Sequence, residues 1–492
     1  MDIKKAETYI ENALKEWNIP GGAVSLIVNG EILSSRGYGV RELGKPDTVN
    51  NSTRFAIGSC SKAFTAAILG ALVDEGKLSW DDKIVKFLPD FKLYDPWVTE
   101  HVTVRDMLCH RTGTMRSIRI MNRDRVFDAD DYIQRMEFLR PIGDFRTRFG
   151  YNNPHYLVAG KVAEVVSGMK WQELCQKYLF APLGMNSSVA TYQELLASSA
   201  TNCASPHANL DGGFVPAELR AADPVKPIPW TDYGENSAGS IISNLQDMTK
   251  WVQMLLQNGM YDGKQVLSPE VITEMTSPQM IIKPNESEMD VITSVGLKSN
   301  IMSYGLGWYV TDYRGTKMVF HPGQLHGFVA AIALLPELKI GGVILLNVYQ
   351  TILHPMLGYF LFDSILGFDR DYSGEMKTML SQWRAGAEIE IQGMLASRPN
   401  PKQAALPLEG LAGTYVSDLF GEIFITLEGE KLFHRYGETD LFTADLDLWE
   451  GLTFVVEYRN KINPPEFLTF ISDEHGIVTS LEVKDVDLFR RK

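Results

Sequence analysis

Short strand-like runs rich in apolar residues lie at both ends of the first 350 residues. Near the N-terminus, one such run over 22–28 and another over 31–35 flank Asn29-Gly30. This arrangement predicts a tight β-hairpin, because asparagine and glycine readily adopt the positive φ angles of such turns. Further strand-like runs come much later, at Tyr304 to Val310, Lys317 to Phe320, Phe328 to Leu335 and Ile340 to Val348. The last two are joined by the four residues 336–339, which predicts a second hairpin.

Helical spacing of apolar residues dominates the stretch between these strands, from about residue 59 to residue 275. The run from Ala63 to Leu72 is almost wholly apolar, and another periodic run ends at Leu256. The second run begins after Ser243, where Gln246 completes the spacing of a capping box. Strands on both sides of a helical middle predict one antiparallel sheet built from distant segments, flanked by helices and carrying a helical subdomain. The fold class expected for this part is therefore α+β.

The pattern changes after residue 368. A helix is expected over about 375–395, and Pro399 and Pro401 then mark a boundary. From residue 406 short strand-like runs alternate with turns, at Gly413 to Val416, Ile423 to Leu427, Leu452 to Val456 and Phe467 to Ile471. These runs predict a small all-β barrel or sandwich. We therefore divide the chain into a first domain over 1–368, a helical linker over 369–405 and a β-barrel domain over 406–492.

Charge and composition narrow the range of partners. The 492 residues are 45% hydrophobic and 22% charged, and the net charge of −14 argues against a nucleic acid or an anionic membrane as partner. The segment 406–492 contains 17 acidic and 8 basic residues, so most of the net charge lies there. The four cysteines are scattered, and the N-terminal sequence lacks the apolar core of a signal peptide. We expect a cytoplasmic protein without a membrane span, and the sequence leaves a homo-oligomer open.

The pair Ser59 and Lys62 begins the apolar helical run. Residues three apart lie on one face of a helix, so this spacing places a hydroxyl beside an amine. A serine hydroxyl becomes a strong nucleophile only when a neighbouring base takes its proton. The start of a helix also presents unpaired N–H groups that can stabilise an oxyanion. An N-cap serine with a solvated lysine is the alternative interpretation, and Ser61 is an alternative nucleophile, although the spacing to Lys62 favours Ser59.

Tyr151-Asn152-Asn153 is a second candidate motif, directly before a helical run from Pro154 to Val166. A phenol can pass protons when nearby cations lower its pKa, and the amide of Asn153 can both donate and accept hydrogen bonds. A core tyrosine with its hydroxyl satisfied by the protein is the alternative interpretation of Tyr151.

His321-Pro322-Gly323 is a third motif, expected at the end of the strand from Lys317 to Phe320. Glycine lets the backbone approach a ligand closely, and the N–H of Gln324 can donate to an oxyanion. A histidine hydrogen-bonded to backbone at the end of a strand is the alternative interpretation.

In this order, Ser-x-x-Lys, Tyr-x-Asn and His-x-Gly resemble the motifs of the serine β-lactamase and penicillin-binding-protein-like superfamily. The resemblance covers about residues 10–350 and is closest to the class C-like serine hydrolases, which include D-aminopeptidases and esterases. Further strings carry it, at Phe55 to Gly58, Gly76 to Asp82, Val104 to Gly113, Ser237 to Ser240 and Tyr304 to Trp308. The C-terminal segment resembles the lipocalin-like barrel that is appended to some members of this group.

The resemblance implies a role for each motif residue. Ser59 would be acylated, and Lys62 and Tyr151 would share the general base and acid work, with the acceptor of the serine proton left open. The N–H groups of Ser59 and Gln324 would form an oxyanion hole, and Asn153 would orient the acyl-side amide of the substrate. The reaction would be acyl transfer to water on a small molecule or short peptide, without a metal or an organic cofactor.

His321 departs from the relatives that recognise penicillins, which usually have lysine at this position. A histidine is only partly charged at neutral pH, so the departure implies weak β-lactam hydrolysis and substrates without an obligatory carboxylate. A D-stereoselective aminopeptidase or peptidase is the first expectation. A carboxylesterase or acyltransferase on the same scaffold is the alternative, followed by a weak β-lactamase or a non-catalytic binding protein.

A cluster of arginines lies between the serine helix and Tyr151. Its members are Arg116, Arg119, Arg123, Arg125, Arg135, Arg140, Arg146 and Arg148. Acidic residues lie close to several of them, which favours a solvated helix face. The competing hypothesis is that some of them, tested at Arg146 and Arg148, bind an acidic part of the substrate.

Overall fold

The structure of the chain is a computed structural model. The structure describes residues 2–114, 128–210, 213–215, 225–232, 234, 237–284, 286–287, 299–400, 403–437, 442–484 and 486–492. The chain divides into two compact units. The first takes in most of the chain up to residue 377, and the second contains residues 378–492 with short stretches before residue 225.

The helices include those that the apolar spacing predicted. Those of the described residues are α1 Ile3–Glu16, α2 Ser61–Asp74, α3 Pro96–His101, α4 Val104–Leu108, α5 Ala129–Arg135, α6 Asn153–Ser167, α7 Trp171–Cys175, α8 Ala181–Leu183, α9 Tyr192–Ala197, α10 Leu245–Leu256, α11 Pro269–Met275, α12 Leu353–Leu366 and α13 Tyr372–Ala396. The cap of α10 differs from the prediction, because Asn244 and not Ser243 accepts a backbone N–H of the first turn, that of Asp247. None of the helices described here is long and apolar enough to cross a membrane.

The first unit is built on a large antiparallel sheet. Its strands and the shorter ones around it are β1 Gly21–Val28, β2 Glu31–Gly39, β3 Arg54–Ala56, β4 His207–Asn209, β5 Val225–Pro227, β6 Ile242–Asn244, β7 Met260–Tyr261, β8 Lys264–Gln265, β9 Met280–Ile282, β10 Met302–Tyr304, β11 Tyr309–Tyr313, β12 Thr316–Leu325, β13 Phe328–Leu335 and β14 Ile340–Leu346. Eight of them form one sheet in the order β2-β1-β14-β13-β12-β11-β10-β9. The first strand pairs with the last, with Gly22 opposite Leu346. The prediction of one sheet completed by distant segments is confirmed.

Helices cover both faces of this sheet. Successive residues of a strand face opposite sides, and Gly341 and Gly342 of β14 show what lies on each. A Cβ atom added to Gly341 would meet Val252 of α10, whereas one added to Gly342 would approach Phe362 of α12. The two helices therefore pack on opposite sides of the strand, and the close approach of α10 requires the glycine at 341. Every residue of α2 from Ser61 to Leu72 is also buried, so this apolar helix lies inside the unit.

Two strand predictions are wrong in detail. The strand β12 continues to Leu325, so the motif 321–323 lies inside the strand and not at its end. The run 304–310 is not one strand, since β10 ends at Tyr304 and β11 begins at Tyr309. Gly307 between them has a φ of +82°, and a Cβ atom there would lie 2.9 Å from the carbonyl oxygen of Lys62. The close approach of this turn to α2 explains the interruption.

The second unit is a closed eight-stranded antiparallel barrel, which decides between the barrel and the sandwich. Its strands are β15 Gly413–Ser417, β16 Gly421–Glu428, β17 Lys431–Tyr436, β18 Thr443–Glu450, β19 Thr453–Tyr458, β20 Glu466–Ser472, β21 Val478–Val483 and β22 Asp487–Arg491. The four predicted runs correspond to β15, β16, β19 and β20. The other four strands were not predicted.

Candidate active site

Ser59 lies in a 3₁₀ turn, Gly58–Cys60, that leads directly into α2. This turn packs against β12. A Cβ atom added to Gly323 would lie 1.9 Å from the carbonyl oxygen of Ile57, and one added to Gly58 would lie 2.6 Å from the backbone nitrogen of Gln324. Only glycine permits such an approach. Gly323 therefore acts through its backbone, by holding the strand against the turn that carries Ser59.

Lys62 is fully buried, and its Nζ atom lies 3.0 Å from the Oγ atom of Ser59. The same Nζ atom lies 2.7 Å from Oδ1 of Asn153 and 2.9 Å from the carbonyl oxygen of Ala238. Both of these oxygens can only accept, so each receives an N–H from Lys62. A neutral amine has two N–H groups and one lone pair. With both N–H groups used in this way, the lone pair remains for the hydroxyl of Ser59.

The surroundings of Lys62 favour its neutral form. Burial lowers the pKa of Lys62 well below its usual value, because the ammonium ion loses its hydration in the protein interior. Its hydrogen-bond partners named above are neutral oxygens. The alternative serine, Ser61, is buried and its Oγ atom accepts a backbone N–H at 3.2 Å. Ser59 is thus the serine beside an amine whose surroundings disfavour the charged form.

The buried amine predicts that folding becomes more favourable as the pH rises above neutrality. The unfolded chain carries a proton on Lys62 up to a pKa of about 10.4, and the folded chain releases it. Stability therefore increases with pH between the lowered folded pKa and the unfolded pKa. Relative to Lys62→Met, we expect the wild-type free energy of unfolding to rise by up to about 1.4 kcal/mol per pH unit. Urea unfolding of both proteins from about pH 7 to pH 9 measures this slope, and parallel profiles would contradict it.

Tyr151 and Asn153 lie at the start of α6, which begins at Asn153 and has Pro154 in its first turn. The fixed φ angle of proline suits this position. The ring centroid of Tyr151 lies 4.9 Å from Nζ of Lys62, and the side chain is half-buried. The structure thus brings Ser59, Lys62, Tyr151 and Asn153 into one site.

His321 is 1% exposed, and both of its ring nitrogens are hydrogen-bonded. Nδ1 donates to the carbonyl oxygen of Pro322 at 2.6 Å, and Nε2 accepts from the hydroxyl of Tyr304 at 2.8 Å. Burial lowers the pKa of His321 to about 3. The sequence predicted a partly charged imidazole, whereas burial in the structure favours the neutral form. It lies beside the site, with 6.3 Å between the ring centroids of His321 and Tyr151.

Residues 6–354 match the family described as Beta-lactamase, a match that spans more than two thirds of the chain. The chain belongs to the beta-lactamase family. Residues 397–492 match a domain of unknown function, DUF3471.

Several known proteins are similar to this beta-lactamase-family chain. An unguisins hydrolase from Aspergillus violaceofuscus is 29% identical over 86% of this chain and 76% of its own length. Protein flp from Staphylococcus aureus is 24% identical over 70% of this chain and 63% of its own length. Among solved structures, the octameric penicillin-binding protein homologue from Pyrococcus abyssi covers both chains fully, with a TM-score of 0.63 and 23% identity. The D-amino acid amidase from Ochrobactrum anthropi SV3 covers 74% of this chain and 99% of its own, with a TM-score of 0.58 and 21% identity.

Sequence reasoning missed two groups of this beta-lactamase-family site. The carbonyl of Ala238 accepts from Lys62, and the hydroxyl of Tyr304 donates to His321. Both residues belong to strings that carry the family resemblance, so the resemblance marked the segments without indicating the atoms. A backbone carbonyl has no side-chain signal, and the partner of a buried hydroxyl depends on the fold.

The hypothesis that the arginine cluster binds an acidic part of the substrate concerns four residues outside the described ones, Arg116, Arg119, Arg123 and Arg125. Arg146 donates to the buried carboxylate of Asp106 at 3.0 and 2.8 Å. Arg148 donates to the carbonyl of Ile142 at 2.7 Å and lies 3.7 Å from Glu286. These contacts favour a structural role for both arginines over binding of an acidic substrate.

Proposed function

We propose that this chain is a serine hydrolase that cleaves amide bonds through an acyl-enzyme on Ser59, with D-stereoselective aminopeptidase or peptidase activity. The observation that carries the proposal is the buried amine of Lys62, whose Nζ atom lies 3.0 Å from Oγ of Ser59. A neutral amine at hydrogen-bond distance is the base that a serine needs to attack a carbonyl at neutral pH.

In the first half-reaction, Lys62 takes the proton of Ser59 while Oγ attacks the substrate carbonyl carbon. The N–H groups of Ser59 and Gln324 stabilise the resulting oxyanion, and one such donor contributes about 3–4 kcal/mol. When the C–N bond breaks, the amine leaves with the proton from Lys62, passed on through Tyr151, and an ester on Ser59 remains. Water then gives a proton to Lys62 and attacks this ester. The carboxylic acid leaves, and Ser59 takes the proton back.

Asn153 and His321 bear on the choice of substrate. Oδ1 of Asn153 accepts from Lys62, which leaves the N–H groups of the same amide to donate to a substrate carbonyl. The buried, neutral His321 offers no cation for a substrate carboxylate, unlike the lysine of penicillin-recognising relatives. We therefore propose amino-acid amides and short peptides without a carboxylate at this position, in preference to β-lactams.

The names of similar proteins support hydrolysis and include an amidase. The Aspergillus relative is named an unguisins hydrolase, and the Ochrobactrum structural neighbour is a D-amino acid amidase. A carboxylesterase or acyltransferase is the second candidate. The pair of Ser59 and Lys62 would also suit ester cleavage, because an alkoxide leaving group depends less on protonation than an amine does.

Domain boundaries, cellular location and self-association are also part of the proposed function. We propose a catalytic domain over 1–368, a linker over 369–405 and a barrel domain over 406–492, in a cytoplasmic protein that self-associates. The octamer named for the Pyrococcus homologue supports self-association. The four cysteines are free, and three of them are buried, which fits a reducing compartment.

A substrate panel tests the proposed activity. The full-length protein is given D- and L-alanine p-nitroanilide and p-nitrophenyl acetate, with Ser59→Ala as the matched background. We expect kcat/KM for the D-amide to exceed that for the L-amide by at least about tenfold, and no turnover by Ser59→Ala. Turnover of the ester alone would reject the peptidase and leave the carboxylesterase. If no turnover depends on Ser59 and a fluorophosphonate does not label Ser59, the chain is a non-catalytic binding protein.

A further inference from the structure

His110 holds the backbone on both sides of Tyr151. Its carbonyl oxygen accepts the N–H of Gly150 at 2.9 Å, and its Nδ1 atom accepts the N–H of Asn152 at 3.1 Å. The ring centroids of His110 and Tyr151 lie 4.5 Å apart, with the ring planes tilted by 41°. One residue thus binds both neighbours of the tyrosine and contacts its ring.

The hydrogen bonds around His110 determine where the protons lie. A backbone N–H can only donate, so Nδ1 of His110 carries no proton. Nδ1 of His155 lies 3.2 Å from it and must therefore carry one. Nε2 of His155 then accepts from a threonine hydroxyl, and the Oγ1 atoms of Thr112 and Thr114 lie 3.0 and 3.2 Å from it. Burial lowers the pKa of His155 to about 3, which favours the neutral form of this ring.

The backbone of His110 has a left-handed conformation. Its φ angle is +58°, in the left-handed region that favours glycine and that asparagine also tolerates. The residue is fully buried. The conformation belongs to the C-terminal end of α4, where the N–H groups of His110 and Arg111 donate to the carbonyl oxygens of Met107 and Asp106 at 3.2 and 3.1 Å. The end of this helix sets the backbone of His110, and the residue so placed contacts residues 150 and 152.

We propose that His110 is a positioning residue for Tyr151. It fixes the segment 150–152 so that the phenol ring stays beside the amine of Lys62, 4.9 Å from Nζ to the ring centroid. The inference rests on the proposed function, in which Tyr151 passes a proton from Lys62 to the leaving group. Proton transfer requires hydrogen-bond distance, and a displacement of about 1 Å lowers the rate about 10²-fold.

Two variants separate the side chain of His110 from its backbone conformation. His110→Gly suits the φ angle of +58° but removes the ring and the Nδ1 acceptor. His110→Asn also suits this angle and offers Oδ1 as an acceptor for the N–H of Asn152. With the best substrate of the panel, we expect His110→Gly to lower kcat about 10²-fold with little change in KM. We expect His110→Asn to recover most of the wild-type kcat.

His207→Gly is the matched control. His207 is also fully buried and also links backbone segments, since Nε2 accepts the N–H of Leu43 at 3.1 Å and Nδ1 donates to the carbonyl of Asn347 at 3.0 Å. We expect this variant to lose melting temperature as His110→Gly does, with an unchanged kcat. A His110→Gly variant that loses melting temperature and keeps its kcat would overturn the inference.

A double-mutant cycle with Tyr151→Phe separates the inference from the proposed function. If His110 acts through Tyr151, adding His110→Gly to Tyr151→Phe lowers kcat no further. Equal losses in both backgrounds would overturn the positioning role and leave the proposed function intact. Full activity of Tyr151→Phe alone would overturn the role of the tyrosine, and with it the inference, without His110 having been changed.

Discussion

Replacing Lys62 by methionine lowers kcat about 10³-fold on the best substrate of the wild-type protein, because the general base is lost. Methionine has a similar length and keeps the buried space filled, but it has no nitrogen lone pair 3.0 Å from Oγ of Ser59. The substitution thus removes the base without leaving a large cavity. Steady-state kinetics with the D-aminoacyl amide measure the loss. Lys250→Met is the control, since Lys250 pairs with Asp247 in α10, and we expect its kcat to match the wild type.

Fluorophosphonate labelling distinguishes Lys62 from Tyr151 as the base. Fluoride leaves phosphorus without needing a proton, so the labelling rate reports activation of Ser59 and not protonation of a leaving group. If Lys62 is the base, Lys62→Met labels slowly, whereas Tyr151→Phe labels faster and loses mainly amide turnover. The opposite order of labelling rates would assign the base to Tyr151.

The hydrophobic pattern predicted most of the central sheet, since alternation and apolar runs report burial directly. It failed where distant backbone decides local structure. The motif that contains Pro322 and Gly323 was predicted at the end of a strand, yet β12 continues through it, and Pro322 stands opposite Ala331 of β13. The glycine is needed for another reason, the approach of the Ile57 carbonyl oxygen to within 1.9 Å of where a Cβ atom would lie. No pattern within β12 reports that approach.

Some features of the site could be predicted from the sequence alone, and others could not. Spacing alone placed Lys62 beside Ser59, because the geometry of residues three apart on a helix is local. The contact between Lys62 and Asn153 joins residues 91 positions apart, so it depended on the family resemblance. The lowered pKa values of Lys62 and His321 could not be predicted from sequence. They result from burial, which only the complete fold creates.

Asp106→Asn is expected to cause a large loss of stability, about 3 kcal/mol, because the fully buried carboxylate that pairs with Arg111 and Arg146 is removed. The carboxylate of Asp106 is fully buried and accepts the N–H and the hydroxyl of Thr103 at 2.9 and 2.8 Å. It also accepts from Arg111 at 2.5 Å and twice from Arg146. An amide in its place loses the charge and turns an NH₂ group toward these donors. Two guanidinium groups are then left without their carboxylate, so the free energy of unfolding falls.

The pH dependence of this loss identifies its origin. Although burial acts to raise the pKa of Asp106, hydrogen bonds from Arg146 and Arg111 hold it below its usual value. The stabilisation is therefore complete above the unfolded pKa of about 3.9 and is lost as the pH falls through the lower folded pKa. Urea unfolding should show a constant gap between wild type and Asp106→Asn above about pH 5, and the gap should close in more acidic solution. Asp369→Asn, which breaks only an exposed pair with Lys5, should change stability by less than about 0.5 kcal/mol. If Asp106→Asn behaves like this control at neutral pH, the arginines regain hydration when the carboxylate is lost, and the network contributes little.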